Sequence, residues 1–449
     1  MKSIGTHRSY QIKTICNAPI ELIDGDRGKN YPKQRDFSSS GYCLFLNAGN
    51  VTKSGLDFHE CAFISEENDS LLGKGKLRRG DIIVTTRGTL GNIGYYDKSA
   101  PYDKVRINSG MIILRPIESE LEAAFLYCYL RSALFQSQVT KLSSGSAQPQ
   151  LPIRDFRNIE IPLPPLPEQR RIAHILGTLD DRIENNRKTV KTLEAMAQAI
   201  FKSWFVDFDP VRAKMAGESR ESICKRLKLT PEILDLFPDR LVDSELGEIP
   251  EGWMNGSFRN ICSRRSERVG NRDATVLSAV TKGHLAISDD YFTKRVYSNE
   301  IKNYLAVERN DFAYNPSRIN IGSIGMLESY FLGAVSPVYI VFRPAESYQH
   351  FMNFYLGLAT TKKWIATFSS GSVRQSLSYD DFAAIPCIIP PKETIGIFNI
   401  IHDDVKHSSD FSSDYAMKLA NLRDTLLPKL ISGELRVPAL QDLVEDVLL

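Results

Sequence analysis

Residues 164–208 read PPLPEQRRIAHILGTLDDRIENNRKTVKTLEAMAQAIFKSWFVDF. Proline suits the first turn of a helix, where its missing N–H costs nothing. Beyond the prolines, apolar residues fall at Ile172, Leu176, Leu179, Ile183, Val190, Leu193, Ala197, Ile200 and Trp204. With Asn186 completing the series, the spacing alternates between four and three throughout, which is the a/d pattern of a coiled coil. The stretch predicts a single helix from about Glu168 to about Asp207, roughly 60 Å long at ~1.5 Å per residue. That is several times an ordinary globular helix.

A long internal repeat surrounds this helix. Ser143-Ser144-Gly145-Ser146 recurs as Ser369-Ser370-Gly371-Ser372, a shift of 226 residues. At the same shift Leu151 meets Leu377, Asp155 meets Asp381, Phe156 meets Phe382, Ile159 meets Ile385, and Pro164-Pro165 meet Pro390-Pro391. Upstream, with small insertions, Asp81-Ile82-Ile83-Val84 echoes Asp311-Phe312-Ala313-Tyr314. Gly91-Asn92-Ile93-Gly94 echoes Gly322-Ser323-Ile324-Gly325, and Ile113-Leu114-Arg115-Pro116 echoes Val341-Phe342-Arg343-Pro344. Short Ser/Gly and Pro-Pro matches arise by chance, but several in one order do not. The shift also puts Phe398, His402, Val405, Ser409, Ser412, Ala416, Leu419, Arg423, Leu426 and Leu430 on the seam of a second long helix. This seam is weaker in its middle. The polar Asn186, Ser409 and Ser412 either fix register between helices or mark a wetter stretch.

Each repeat opens with short β-branched and aromatic runs punctuated by Gly, Asn and Asp, which read as strands and turns. Between the first helix and the second repeat, residues 210–249 read as a linker with one or two short helices. Thr230-Pro231-Glu232 supplies an N-cap followed by proline at the first helical position.

The composition is that of a soluble globular chain: 449 residues, 42% hydrophobic, 24% charged, long enough for two or three cores. The net charge of only +2 means that any nucleic-acid contact must be local. Seven cysteines without a C-x-x-C pair fit neither a disulfide framework nor a zinc site. No signal peptide and no membrane-spanning run is legible, so the expected location is the cytoplasm, with no membrane partner.

The common enzyme signatures are missing. Gly73-Lys74-Gly75-Lys76 lacks the spacing of a phosphate loop. Asp209-Pro210-Val211 and Asn315-Pro316-Ser317 each stop at one proline, short of the tetrad of an adenine methyltransferase, and read as turns. The seven histidines, among them His174, His402 and His407, form no H-E-x-x-H motif and read as surface or packing residues. No catalytic residue, metal ligand or bound cofactor is expected on this chain.

Exposed donors are plentiful instead. The first repeat carries Arg27, Lys29, Lys33 and Arg35 in one turn-rich loop, Lys74, Lys76, Arg78 and Arg79 in a second, and Thr86-Arg87 after a strand. The second repeat carries Arg264, Arg265, Arg268, Lys282, Lys294, Arg295, Asn315 and Arg318. Singly, each run is as easily a solvated face as a DNA contact; their occurrence in both repeats favours DNA. Arg87 and Arg318 suit either a bidentate guanine contact or a phosphate grip. The Ser-Ser-Gly-Ser loops, reaching Ser146, Gln148 and Gln150 in one copy and Arg374 and Gln375 in the other, either touch DNA or another subunit or are structural turns.

The sequence resembles the specificity subunit of type I restriction-modification systems. The resemblance rests on the run Leu163 to Ala173, on Leu179-Asp180-Asp181-Arg182-Ile183, on Trp204-Phe205-Val206-Asp207-Phe208, on Leu246 to Trp253, and on Leu427 to Leu435. It implies an α+β fold: two α/β target recognition domains in tandem repeat, separated by two long antiparallel coiled-coil helices. The boundaries expected are a first recognition domain at 1–166, the central helix at 167–209, the linker at 210–249, a second recognition domain at 250–391, the C-terminal helix at 392–432 and a tail at 433–449.

The function implied is sequence-specific binding of double-stranded DNA, each domain reading half of a bipartite target and the helices setting the gap. The partners implied are two modification (methyltransferase) subunits and restriction (translocase/nuclease) subunits. S-adenosylmethionine, ATP and Mg are then expected on those partners. Ile172, Leu176, Leu179, Phe201, Trp204, Phe205 and Phe208 are candidate docking residues for the modification subunits, or else are spent on the helix pair. The second copy departs from the family at its helix start, where Pro390-Pro391-Lys392-Glu393-Thr394-Ile395 lacks the Glu-Gln-Arg-Arg run. A stand-alone DNA adenine methyltransferase and a coiled-coil scaffold are the alternatives.

Overall fold

The computed structural model describes residues 10–145, 149–280, 283–369 and 376–435. Two compact units divide the chain, one drawn from Met1–Lys188 with Ser412–Leu449 and the other from Thr189–Phe411. No helix among the described residues is long and apolar enough to cross a membrane.

The first unit is built on an antiparallel sheet ordered Ile20–Asp24, Met111–Pro116, Ile82–Thr85, Ile93–Tyr95. Its central strands are apolar at successive positions because both faces are covered. Ile82, Val84, Ile112 and Leu114 face a core shared with Phe125, Phe135 and Phe156. Ile83, Met111 and Ile113 face a second core with Leu44, Leu46 and Val105. The last three belong to a smaller sheet in which Cys43–Leu46 pairs antiparallel with Phe63–Ile64 and parallel with Val105–Ile107. Burying side chains of this size is worth about 1.5–3 kcal/mol each before entropy is charged.

The second unit repeats the plan. Its antiparallel sheet is ordered Cys262–Arg265, Ile340–Pro344, Phe312–Tyr314, Ile324–Met326. The matched residues of the sequence repeat take the same roles. Arg115 Nε and Nη2 each lie 2.8 Å from the carboxylate oxygens of Asp81, and Arg343 grips Asp311 in the same bidentate way at 2.6 and 2.9 Å. Both aspartates are 1% exposed. A third hydrogen bond ties each carboxylate to its own turn, from the N–H of Arg78 in one copy and of Glu308 in the other.

Two continuous helices, Leu166–Phe205 and Lys392–Ser432, match the predicted coiled-coil pair. In the first unit they run antiparallel: Asp180 meets Arg423 at 2.6 Å, while Leu176 and Leu427 line one cavity beside them. Arg423 occupies a seam position, and its charge is met there by Asp180, which also binds Arg131 at 3.1 Å. Ser409 and Ser412 are both buried.

The helix starts differ between copies for a legible reason. Gln169 is 1% exposed and accepts from the Glu122 N–H while donating to the carbonyls of Glu120 and Pro164. Its counterpart Ile395 is fully buried in an apolar core with Phe258 and Phe398. A polar bracket in one copy is thus replaced by hydrophobic packing in the other.

The segment after the first long helix holds three short helices, Asp209–Met215, Arg220–Leu227 and Pro231–Leu234, with Thr230 capping the last. It also holds a hairpin, Leu241–Ser244 with Gly247–Pro250, that the linker reading missed. Its four-residue strands carry too little apolar alternation to announce themselves.

Candidate nucleic-acid interface

In the first unit the loop after Ile82–Thr85 is fixed from within. The Gly91 N–H donates to the Thr85 carbonyl, the Asn92 side chain to Val51, and the Thr89 hydroxyl to Ala48. The Leu151 N–H donates to the Thr86 carbonyl, and Arg87 bridges Gln150 through the backbone. Gln150 in turn bridges Ser144. Three separate sequence candidates, Arg87, Gln150 and the Ser-Ser-Gly loop, therefore meet. Arg87 and Gln150 are exposed.

The same end of the sheet gathers the other basic loops. The Thr86 N–H donates to Gly110, and Arg27 Nη2 lies 3.2 Å from both the Ser109 carbonyl and Asp24. Asp26 accepts from the N–H groups of Gly28, Gly73 and Lys74, which clamps the Arg27 loop to the Lys74 loop. These N–H groups, that of Gly28 above all, hold the Asp26 carboxyl below its ordinary pKa against the opposing effect of burial. Glycine is required at position 25, where a Cβ would sit 2.1 Å from the Asn108 carbonyl oxygen.

Beneath this surface Arg106 is 5% exposed and donates to the carbonyls of Asp69, Leu72 and Lys74. Its Nε and the Lys76 Nζ share the Asp69 carboxylate. Burial pushes that carboxyl up, but the hydrogen bonds from Lys76 and Arg106 outweigh it and leave the pKa lowered. The result is a set of exposed donors on a backbone that has little freedom to move.

In the second unit the equivalent loop is Asn315 to Gly322. The Leu377 N–H donates to the Pro316 carbonyl, as Leu151 does to Thr86. Pro316 therefore replaces Thr86, Ser317 stands in the place of Arg87, and Arg318 lies one residue further on. Arg318 is exposed at the start of the turn Ile319–Ile321, and Asn315 Oδ1 accepts from the Ser317 N–H. Gly91 and Gly322 close the two loops at φ 78° and 88°, a conformation that favours glycine.

Residues 9–195 match the family described as type I restriction modification DNA specificity domain. The HindI specificity subunit of Haemophilus influenzae is 24% identical, covering 92% of this chain and 98% of the relative. The MjaIX specificity subunit of Methanocaldococcus jannaschii is 24% identical over 87% of each chain. Over nearly its whole length the chain is similar to specificity subunits of type I restriction-modification systems. The crystal structure of a type I S subunit from M. genitalium shares the fold, with a TM-score of 0.56 at 17% identity over 95% of this chain and 97% of that one.

Not every basic residue of this chain faces outward. Arg79 is turned inward: it donates to the carbonyls of Asp97, Ala100 and Tyr102 and to the Asp103 carboxylate, with its guanidinium 4.3 Å over the Tyr96 ring. Thr86 is 3% exposed, and its hydroxyl donates to Gly110. Both are corrected from contact candidates to residues that shape the loop. Lys76, Arg265 and Arg268 are exposed or half-buried, but each has an internal partner: Asp69, Glu267 and Asn303 respectively. Lys29, Lys33, Arg35, Lys74, Arg78, Arg264, Lys294 and Arg295 are exposed, the last stacked over Tyr297. Ser146, Gln148, Lys282, Arg374 and Gln375 lie outside the described residues.

Of the two roles open to the apolar residues of the first long helix, docking or internal packing, the cores take up the side chains in packing. Ile172, Leu176 and Leu179 are at most 1% exposed, and Phe201, Trp204, Phe205 and Phe208 at most 4%. The first three belong to the core of the first unit and the other four to that of the second, where Phe205 stacks edge-on to Phe398 and Phe351. Side chains so covered leave no surface for a partner. Sequence reasoning missed Asp26, Asp69 and Arg106. A buried arginine in a strand flanked by Val105 and Ile107 was the available signal, because a guanidinium there must be compensated.

Proposed function

We propose that this chain is the non-catalytic DNA reader of a type I restriction-modification complex, and that each unit reads one half of a bipartite target. The observation that carries the reading is the duplicated loop. In both copies a carbonyl just after a central strand accepts from the leucine that follows the Ser-Ser-Gly-Ser segment, with an exposed arginine one or two residues on. A guanidinium on so firmly held a backbone suits base-edge or phosphate contacts, while changes in the surrounding loops alter the sequence read. The two continuous helices of 40 and 41 residues would set the gap between half-sites by their length. With a net charge of +2, much of the phosphate neutralisation falls to partners. Those partners are two modification subunits, which carry S-adenosylmethionine, and restriction subunits, which carry ATP and Mg.

The test is adenine-methylation mapping across the genome of a host expressing the chain with its neighbouring modification subunit, beside a strain lacking the chain. A bipartite motif that disappears with the chain is expected. Unchanged methylation in a strain where the complex assembles would overturn the assignment.

A further inference from the structure

We propose that His350, His402 and Asp403 form a binding site for a single divalent cation of the zinc class. His350 lies in the first turn of the helix Gln349–Gly357, and His402 and Asp403 lie in the second long helix. All three belong to the same unit. The two imidazoles stack with centroids 4.0 Å apart at 31°. His350 Nε2 is 3.1 Å and His402 Nδ1 3.5 Å from the same carboxylate oxygen, Asp403 Oδ1. The three ligand atoms lie within 4.8 Å of one another. Tetrahedral coordination with bonds of ~2.0–2.1 Å has edges of about 3.3 Å, so the convergence observed is close to what a cation needs.

Hydrogen bonds from two imidazole N–H groups to one carboxylate describe the same contacts without a metal, and titration with a cation separates the two arrangements. His350 Nδ1 is buried and has no hydrogen-bond partner. If Nδ1 carries the ring proton instead, the Nε2 lone pair faces a carboxylate oxygen, an arrangement that a cation between them relieves. The donor set, two imidazoles and one carboxylate, is that of a three-ligand zinc site with an open fourth position.

Exposure allows entry. The histidine side chains are 14% and 13% exposed and Asp403 is 65% exposed, so the rings form the floor of the site and the carboxylate its rim. Glu328 lies near enough to act electrostatically on both rings. The adjacent Lys406 is engaged by Glu328 at 3.3 Å and by Asp410 at 2.8 Å, so its charge is met before it can oppose the cation. A bound ion would tie the helix Gln349–Gly357 to the second long helix.

The experiment uses the full chain, stripped with chelator and titrated with Co2+, whose visible ligand-field band reports tetrahedral coordination. One equivalent should saturate the band, and Zn2+ should displace it. The His350→Gln/His402→Gln variant should lose the band, and Asp403→Asn should weaken Co2+ binding by about tenfold or more, the scale of lost metal-site support. Because Asp403 is largely exposed, its variant keeps the fold and decides the question if the double variant does not. A wild-type chain that shows no band, or an Asp403→Asn chain that binds Co2+ as well as wild type, would overturn the site.

Discussion

Arg79 and Arg87 are eight residues apart and carry the same side chain, yet the structure assigns them opposite consequences on truncation. Arg79 Nη1 and Nη2 serve the carbonyls of Asp97, Ala100 (3.0 Å) and Tyr102 (3.2 Å) and the Asp103 carboxylate (2.6 Å). Each hydrogen bond from a charged donor contributes about 1.5–3 kcal/mol net, and unmet carbonyls carry a desolvation penalty. One third of the Arg79 side chain is exposed (33%), so water recovers part of the loss. The expected cost of Arg79→Ala is therefore about 2–3 kcal/mol. For a unit of this size ~1 kcal/mol moves Tm by about 2–4 °C, which predicts a fall of roughly 5–10 °C.

Arg87, in contrast, is exposed, and its backbone is held by contacts that do not involve the guanidinium. Arg87→Ala should leave Tm within about 1 °C while weakening binding to the cognate duplex by about 1–3 kcal/mol, or ~5–150-fold. Thermal unfolding of the full chain and fluorescence anisotropy on the assembled complex measure the two quantities. If the loss is confined to one base pair of the half-site, Arg87 reads a base. If it is uniform and the salt slope falls by about one, it grips a phosphate. Refutation is direct: an Arg79→Ala chain that melts with wild type, or an Arg87→Ala chain that melts as low as Arg79→Ala, would show that the burial argument fails.

Three further outcomes follow from the same geometry. Asp81→Ala leaves Arg115 without its bidentate partner and should cost about 3–5 kcal/mol in urea unfolding, whereas replacing both residues with apolar ones of similar size should cost less; equal losses would count against the pair. Asp26 has a folded-state pKa below its unfolded one, so its contribution is present above the ordinary carboxylate value near ~4 and is lost as pH falls through the lower folded value. Asp26→Asn should accordingly show a shallower loss of Tm below about pH 4 than wild type, and identical acid profiles would remove Asp26 as the clamp. Deleting one heptad from each long helix shortens each by ~10 Å, which should narrow the methylated motif's gap by about three base pairs at ~34 Å per turn; methylation sequencing would show an unchanged gap if the helices do not set it.

What the amino-acid sequence determines here is periodicity and duplication. A hydrophobic stripe at alternating four- and three-residue spacing fixes a helix because only that geometry brings Ile172 through Trp204 to one side. The collinear repeat pairs Asp81 with Asp311 and Arg115 with Arg343, and both pairs form the same ion pair. The start of a helix at Thr230-Pro231 was also legible, because a cap is a local hydrogen bond between neighbours.

Tertiary structure alone decided which charges are free. Whether a guanidinium meets an acceptor depends on contacts such as Arg79 with Tyr102, Arg106 with Asp69, or Arg423 with Asp180, across 23, 37 and 243 residues. No spacing rule reaches so far. The aromatic cluster from Phe201 to Phe208 was ambiguous for the same reason: its own core and a partner's surface would select the same side chains. His350 and His402 form no motif because the helices Ala359–Phe368 and Tyr379–Ala383 and the strand Pro386–Ile389 lie between them in the chain. Local patterns record how a chain repeats along itself, while burial and pairing are set by which distant segments the folded core brings together.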